Sequence, residues 1–333
     1  MTVYILSDTS NNKKKKKPKR KINRSEYNES LVRRGEMLFD SGFLQNWQAA
    51  ELKIMNKGKE RKGRPSLSLS EFLDIAAARH RVHAYLLPFR QLEGFLRTLS
   101  IHIKKLKEII PDFTTIWWRI ERMKINLDPK LDPERDDIVI AVDSTGIKVT
   151  NRGEWILDKW KRKRRIRKGF IKIHVAAVDI KTKKIVSMRV TKEDVHDGQM
   201  LKELVDDTSK KYRIKKIMAD GAYDSKDAYD SKDNFRYLDS MKVIPAIKVR
   251  KNSSVKNNAK CIPRKLSVIQ QLEDVKRWKR RHGYGMRWMA ESAFSSIKRT
   301  FGEHVSSIKW NNMVNELMFK ASIYNLFMDK MTT

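Results

Sequence analysis

The chain has 333 residues, of which 40% are hydrophobic, so it can form about two domains with buried cores, and a fully disordered protein is excluded. Lys and Arg number 73 against 40 Asp and Glu, and the formal net charge of +33 favours nucleic acid as partner, although ribosomal and membrane-surface proteins share such a charge. The single cysteine, Cys261, excludes an internal disulfide and a four-ligand zinc site. No run approaches about 18 apolar residues, so we expect an intracellular protein without a transmembrane helix.

The first 130 residues divide into a basic arm and a helical region. Residues 13–24 hold nine basic side chains and no acid, so we expect residues 1–24 to be a disordered arm, either a nuclear-localisation tract or a contact for phosphates. From 25 to 130 the apolar residues recur at helical spacing, which predicts a small all-helical DNA-binding domain. Segments 88–99 and 113–123 are compatible with a helix-turn-helix, although any compact helical domain contains such pairs.

The pattern changes to strands and helices after Pro133. Apolar runs of strand length alternate with segments of helical period in the order β-β-β-α-β-α-β-α, with strands at 138–142, 170–178, 185–190, 214–219 and 243–249 and helices at 197–207, 226–241 and 288–301. This order predicts an α/β domain over 135–328, with a mixed five-stranded sheet and helices on both faces. Pro245 marks the fifth strand as an edge strand.

Three acids stand where this topology brings them together. Asp143 ends the first strand, Asp220 ends the fourth, and Glu291 lies on the helix after the fifth. Ligands of open α/β sheets bind outside the carboxyl ends of the strands, and an all-oxygen set of carboxylates favours Mg²⁺ or Mn²⁺. Taken singly, each acid has a plainer interpretation, because an Asp at a strand end is commonly a turn or cap residue.

A quartet around Glu291 carries a more specific signal. Tyr284, Arg287, Glu291 and Lys298 have the spacing Y-x2-R-x3-E-x6-K, and helical offsets of 4 and 7 place the last three on one face. With this quartet the chain resembles the DDE transposases of prokaryotic insertion sequences, families four and five. The resemblance covers 138–326, and more weakly 87–94, and includes Asp143-Ser144-Thr145, Thr191, His196-Asp197, Asp220-Gly221-Ala222-Tyr223-Asp224-Ser225 and Ile323-Tyr324-Asn325.

The resemblance implies a ribonuclease H-like catalytic domain in which Asp143, Asp220 and Glu291 hold two Mg²⁺ or Mn²⁺ ions. It implies cleavage at the ends of a DNA element and transfer of the freed 3′-hydroxyl into target DNA. Tyr284, Arg287 and Lys298 would hold the DNA end by its phosphates, against the alternative of a solvated helix face with a core tyrosine. The implied partners are double-stranded DNA, both element ends and target, and a second copy of the chain in an active homodimer, in the cytoplasm at the nucleoid.

Two basic segments of the α/β domain are further candidates for DNA contact. Residues 152–168 carry nine basic and two acidic side chains, including Arg164 and Arg165, directly after the Asp143 strand. The polar insertion at 251–283 places Trp278 among five cations, which predicts a grip on DNA by charge and an aromatic contact. The alternative for both segments is a solvated charged face.

Two other functions fit much of this pattern. One is a catalytically inactive DNA-binding protein, such as a domesticated regulator, against which the intact acid trio speaks. The other is a ribonuclease H-like nuclease that cuts without joining strands. Fold alone does not separate the three, because function resides in the site.

Overall fold

The computed structural model describes residues 25, 28–29, 88–102, 112–122, 125, 127, 129, 131, 137–149, 170–224, 231–250, 252–255 and 261–332. The predicted arm at 1–24 and most of the predicted helical domain at 25–130 lie outside these residues. The two helices expected at 88–99 and 113–123 are confirmed as α1 (Phe89–His102) and α2 (Phe113–Arg122). They are tied together because the backbone N–H of Phe113 donates to Glu93 Oε2 at 2.9 Å.

The predicted mixed sheet of five strands is confirmed. Its strands are β1 (Ile138–Lys148), β2 (Phe170–Asp179), β3 (Ile185–Lys192), β4 (Ile214–Ala219) and β5 (Ile244–Ile247), in the spatial order β3-β2-β1-β4-β5. The β1–β2 and β2–β3 pairs are antiparallel, whereas β1–β4 and β4–β5 are parallel. This is the ribonuclease H-like sheet, and β5 is an edge strand, as Pro245 predicts.

Helices cover both faces of the sheet. They are α3 (Asp197–Ser209), α4 (Ser231–Ser240), α5 (Ile262–His282), α6 (Trp288–Phe301) and α7 (Trp310–Thr332). Side chains alternate along β1, so Ile138, Ile140 and Val142 join one core with α3, α4 and α5, and Ala141 joins the other with α6 and α7. Among the helices that the structure describes, none combines the length and apolar character that crossing a bilayer requires.

Three elements differ from the sequence prediction. Strand β1 continues to Lys148, six residues past the predicted end at 142, because residues 143–148 stay paired with β2. The basic insertion contains a long helix, α5, which is broken at Asp274 by non-helical backbone angles. The helix α7 follows α6 and buries Leu317, Ala321 and Tyr324 against the sheet.

Candidate active site

Asp143 and Asp220 lie at one edge because β1 and β4 run parallel and in register. The last paired residues of the two strands are Ala141 and Met218, and each acid stands two residues beyond its own partner in that pair. A register shift between Ala141 and Asp143 marks the point where β1 leaves β4 and continues with β2 alone. The sequence predicts that Asp143 ends β1. In the structure Asp143 lies inside β1, but beyond the last residue of β1 that pairs with β4.

Glu291 reaches the same edge from the first turn of α6. The apolar face of α6, which includes Met289, Ala293 and Phe294, packs on the sheet, and the carboxylate of Glu291 lies on the exposed side. Arg287, one helical turn before Glu291, donates from Nη1 to Asp143 Oδ2 at 3.0 Å and from Nη2 to Glu291 Oε1. One guanidinium thus joins two acids of the predicted trio.

The electrostatics at Asp143 reflect this crowding of carboxylates. Burial raises the pKa of the Asp143 carboxyl above its ordinary value, and the negative charges of Asp220 and Glu291 add to the rise. The backbone N–H of Ser144, 2.9 Å from Asp143 Oδ1, and the guanidinium of Arg287 act in the opposite direction. The charged form of Asp143 is therefore disfavoured in the folded chain even with the guanidinium of Arg287 beside it.

The donor set at this edge fits a divalent cation. Asp143, Asp220 and Glu291 offer only carboxylate oxygens, which are the ligands of Mg²⁺ and Mn²⁺, and the guanidinium of Arg287 already serves two of them as a cation. Within the described residues no group of three or more Asp, Glu, His or Cys side chains has the arrangement of a metal site. Arg287 therefore lies between two acids that a metal would have to bring together.

A groove leads away from the acids along α6. It has a volume of about 430 Å³ and is lined by Asp143, Ser144, Thr145, Glu291, Phe294, Ser295, Lys298, Arg299 and Glu303. Lys298, the last member of the quartet, is half-buried and lines this groove, as do Ser144 and Thr145. The groove combines cations with hydroxyl groups, which are the side chains that contact DNA phosphates.

The contact of Tyr284 with DNA phosphates stays a prediction, and the structure places the residue in the core. Its side chain is buried, and its hydroxyl donates to the backbone oxygen of Ala219 at 3.1 Å, next to Asp220. Burial raises the pKa of Tyr284 to about 12. The alternative of a core tyrosine is the one that its burial supports, and its hydroxyl fixes the end of β4.

The DNA contact of Trp278 also stays a prediction, and here too the structure shows a buried side chain. Only 2% of Trp278 is exposed, because the ring packs against Tyr284, His282, Met218 and Ala246. Its cationic neighbours on α5 are exposed on the other sides of the helix. A tryptophan within a charge run therefore anchors the helix to the sheet and leaves the cations in solvent.

One buried acid near the site received no role from the sequence. Asp224 ends the short 3₁₀ turn Gly221–Asp224 that follows Asp220, and its side chain is wholly buried against Arg264 of α5. The available signal was a second Asp four residues after Asp220, in a chain whose insertion is rich in arginine. Arg164 and Arg165, also predicted to contact DNA, lie outside the described residues.

Two family models match the chain. A model described as the transposase DDE domain matches residues 134–326, which is more than half of the chain and contains Asp143, Asp220 and Glu291. A second model with the same description matches residues 32–152, which include α1, α2 and all of β1.

Proposed function

The chain belongs to the transposase DDE domain family, and on this premise we propose that it cuts DNA at the ends of a mobile element and joins the freed 3′-hydroxyl to target DNA. Membership makes it an enzyme of DNA transposition. The observation that supports the chemistry best is that Arg287 joins Asp143 and Glu291 at the edge where β1 and β4 part.

In this proposal Asp143, Asp220 and Glu291 hold divalent metal, Mg²⁺ or Mn²⁺, and two ions fit the chemistry. Such ions, when bound, activate the attacking oxygen and stabilise the leaving oxygen in an in-line displacement at phosphorus. The carboxylates would orient the metal ions and neutralise their charge, and the β1–β4 register positions Asp143 and Asp220. Before metal binds, Arg287 is the counter-ion of the acids. Once metal is bound, the planar guanidinium of Arg287 suits a phosphate of the DNA end.

We place the DNA along the groove and the outer face of α5. Lys298 and Arg299 lie in the groove, while Lys276, Arg277, Lys279, Arg280 and Arg281 are exposed on the second half of α5. Their charges favour a phosphate backbone whatever its sequence. Arg164 and Arg165 remain candidates for the same contact, and we propose that the active complex is a homodimer acting at the nucleoid.

Asp143→Asn tests the function. The variant removes metal-binding charge and leaves the basic surface intact, so we expect DNA binding to persist and cleavage of element ends to disappear. The matched control is Asp233→Asn, which removes an exposed acid on α4 that pairs with Arg236. Cleavage by Asp143→Asn at the wild-type rate would refute the assignment.

The same assay separates the two rival functions. A labelled DNA end is followed for both nicked and joined products in the presence of Mg²⁺. A wild-type protein that nicks without joining is a nuclease, and one that binds without nicking is a regulator. Joined products that carry the labelled 3′-end in target DNA support the transposase.

A further inference from the structure

The inserted helix α5 is fastened to the two residues that flank the turn of Asp220. Near its start, Arg264 pairs with Asp224, the last residue of the turn Gly221–Asp224. After its end, Tyr284 donates to the backbone oxygen of Ala219, the residue before Asp220. The break at Asp274 divides α5 into two segments, and the helix contacts the sheet on both sides of this break. Asp220 therefore stands between two attachment points, one made by α5 and the other by Tyr284, which follows α5.

The pair of Asp224 and Arg264 has the geometry of a two-point fork. Arg264 Nε donates to Asp224 Oδ1 at 2.8 Å and Arg264 Nη2 donates to Asp224 Oδ2 at 3.0 Å. The backbone N–H of Arg250 also donates to Asp224 Oδ2 at 3.2 Å, and Ser253 Oγ lies 3.2 Å from Arg264 Nη2. The Asp224 side chain is 0% exposed and that of Arg264 is 10% exposed, so water does not replace these bonds.

This fork is connected to Asp220 through the turn. The backbone N–H of Ala222 donates to Asp220 Oδ1 at 2.9 Å, so the orientation of the Asp220 carboxylate depends on the conformation of residues 221–224. Asp224 fixes the far end of the same turn. The turn Gly221–Asp224 therefore links Arg264 to a carboxylate that Arg264 does not contact.

We propose that Asp224 and Arg264 are positioning residues that hold the carboxylate of Asp220 in the orientation needed to bind metal. The inference rests on the proposed function, since it assigns Asp220 to the metal site. Groups that orient metal ligands from behind commonly change metal affinity about 10–100-fold when they are mutated. A displacement of about 1 Å at a reacting centre costs on the order of a hundredfold in rate.

The experiment compares Arg264→Lys with Arg236→Lys at a temperature where circular dichroism shows that both are folded. Arg264→Lys keeps the charge and loses the fork, whereas Arg236→Lys alters an exposed pair with Asp233 on α4. We expect Arg264→Lys to bind Mn²⁺ about tenfold more weakly by calorimetry and to cleave at least about tenfold more slowly. The DNA affinity of Arg264→Lys should equal that of wild type. The control Arg236→Lys should equal wild type in Mn²⁺ affinity, cleavage rate and DNA affinity.

A second variant keeps the proposal testable if a single change at this pair prevents folding. The double variant Asp224→Asn, Arg264→Gln leaves no uncompensated buried charge, so it is expected to fold where a single change to a neutral residue does not. Wild-type Mn²⁺ affinity and cleavage rate in folded Arg264→Lys, or in the folded double variant, would overturn the positioning role. Asp220→Asn in the same assays tests the premise separately: if that variant still cleaves DNA, the proposed function fails.

Discussion

Replacing Arg287 by Gln should strengthen metal binding at the acids while weakening DNA cleavage. Arg287 donates to Asp143 at 3.0 Å and also pairs with Glu291, and the side chains of Arg287 and Asp143 are 21% and 17% exposed. A divalent ion at these carboxylates must displace the guanidinium or approach it closely. Gln keeps most of the side-chain volume and removes the charge.

The size of the effect follows from Coulomb's law. A unit positive charge about 5 Å from a divalent cation repels it by about 1.7 kcal/mol even at the dielectric constant of water. Since about 1.4 kcal/mol corresponds to a factor of ten in affinity, Arg287→Gln should bind Mn²⁺ roughly ten to twenty times more tightly. The lower dielectric of this half-buried edge makes that value a lower bound.

Calorimetric titration with Mn²⁺ in the absence of DNA measures the effect directly. The control is Arg236→Gln, which removes the same charge from an exposed pair on α4. We expect the control to match wild type, and Arg287→Gln to bind Mn²⁺ more tightly and cleave element ends more slowly. Equal or weaker Mn²⁺ binding by Arg287→Gln would refute the idea that Arg287 competes with metal.

Three further predictions concern stability. Burial raises the pKa of Asp143 above its ordinary 3.8, so the folded state holds the proton to higher pH and loses stability as the pH rises from 3.8 through that raised value. Asp143→Asn should therefore have the higher Tm in calorimetry at pH 7 and lose this advantage at pH 3; a lower Tm at pH 7 contradicts the argument. The buried hydroxyl of Tyr223 has no hydrogen-bond partner in the part of the chain described. Tyr223→Phe should therefore raise the free energy of unfolding in urea by about 1 kcal/mol or more. A decrease would mean that the hydroxyl is paired. Trp278→Ala should lower the free energy of unfolding by about 3–5 kcal/mol in the same assay, and weaker DNA binding by the folded variant would support the predicted DNA contact of Trp278.

The order of the strands along the chain and their assembly into a mixed sheet could be predicted because each strand carries its own apolar run. The extent of β1 could not, since Ser144, Thr145 and Gly146 have the composition of a turn and are held extended only by β2, about 30 residues further along the chain. That pairing is a non-local interaction which local propensity does not contain. The position of Asp143 at the edge was still correct, because the parallel part of β1 ends at Ala141.

The candidate site was only partly predictable, because the sequence shows the spacing of residues but not which face of a helix is buried. The quartet spacing predicts Glu291 and Arg287 as site residues. Helix α5 has polar residues, Arg264 and Gln271, at buried positions, so hydrophobic periodicity does not reveal this helix. For Trp278, the cations on either side suggested exposure. The ring instead occupies the one face of the helix that meets the sheet, and a linear charge run does not show which face that is.

The side chain of Gln271 has a consequence for the solubility of this protein. Its Oε1 accepts from the backbone N–H of Val249 at 3.1 Å and its Nε2 donates to the oxygen of Ile247 at 2.9 Å, as a neighbouring strand would. With Pro245, which has no N–H, this amide leaves β5 few groups with which a strand of another chain could pair. During synthesis that edge stays open until residue 271 has emerged and docked, so a chain that stops before it should aggregate through β5.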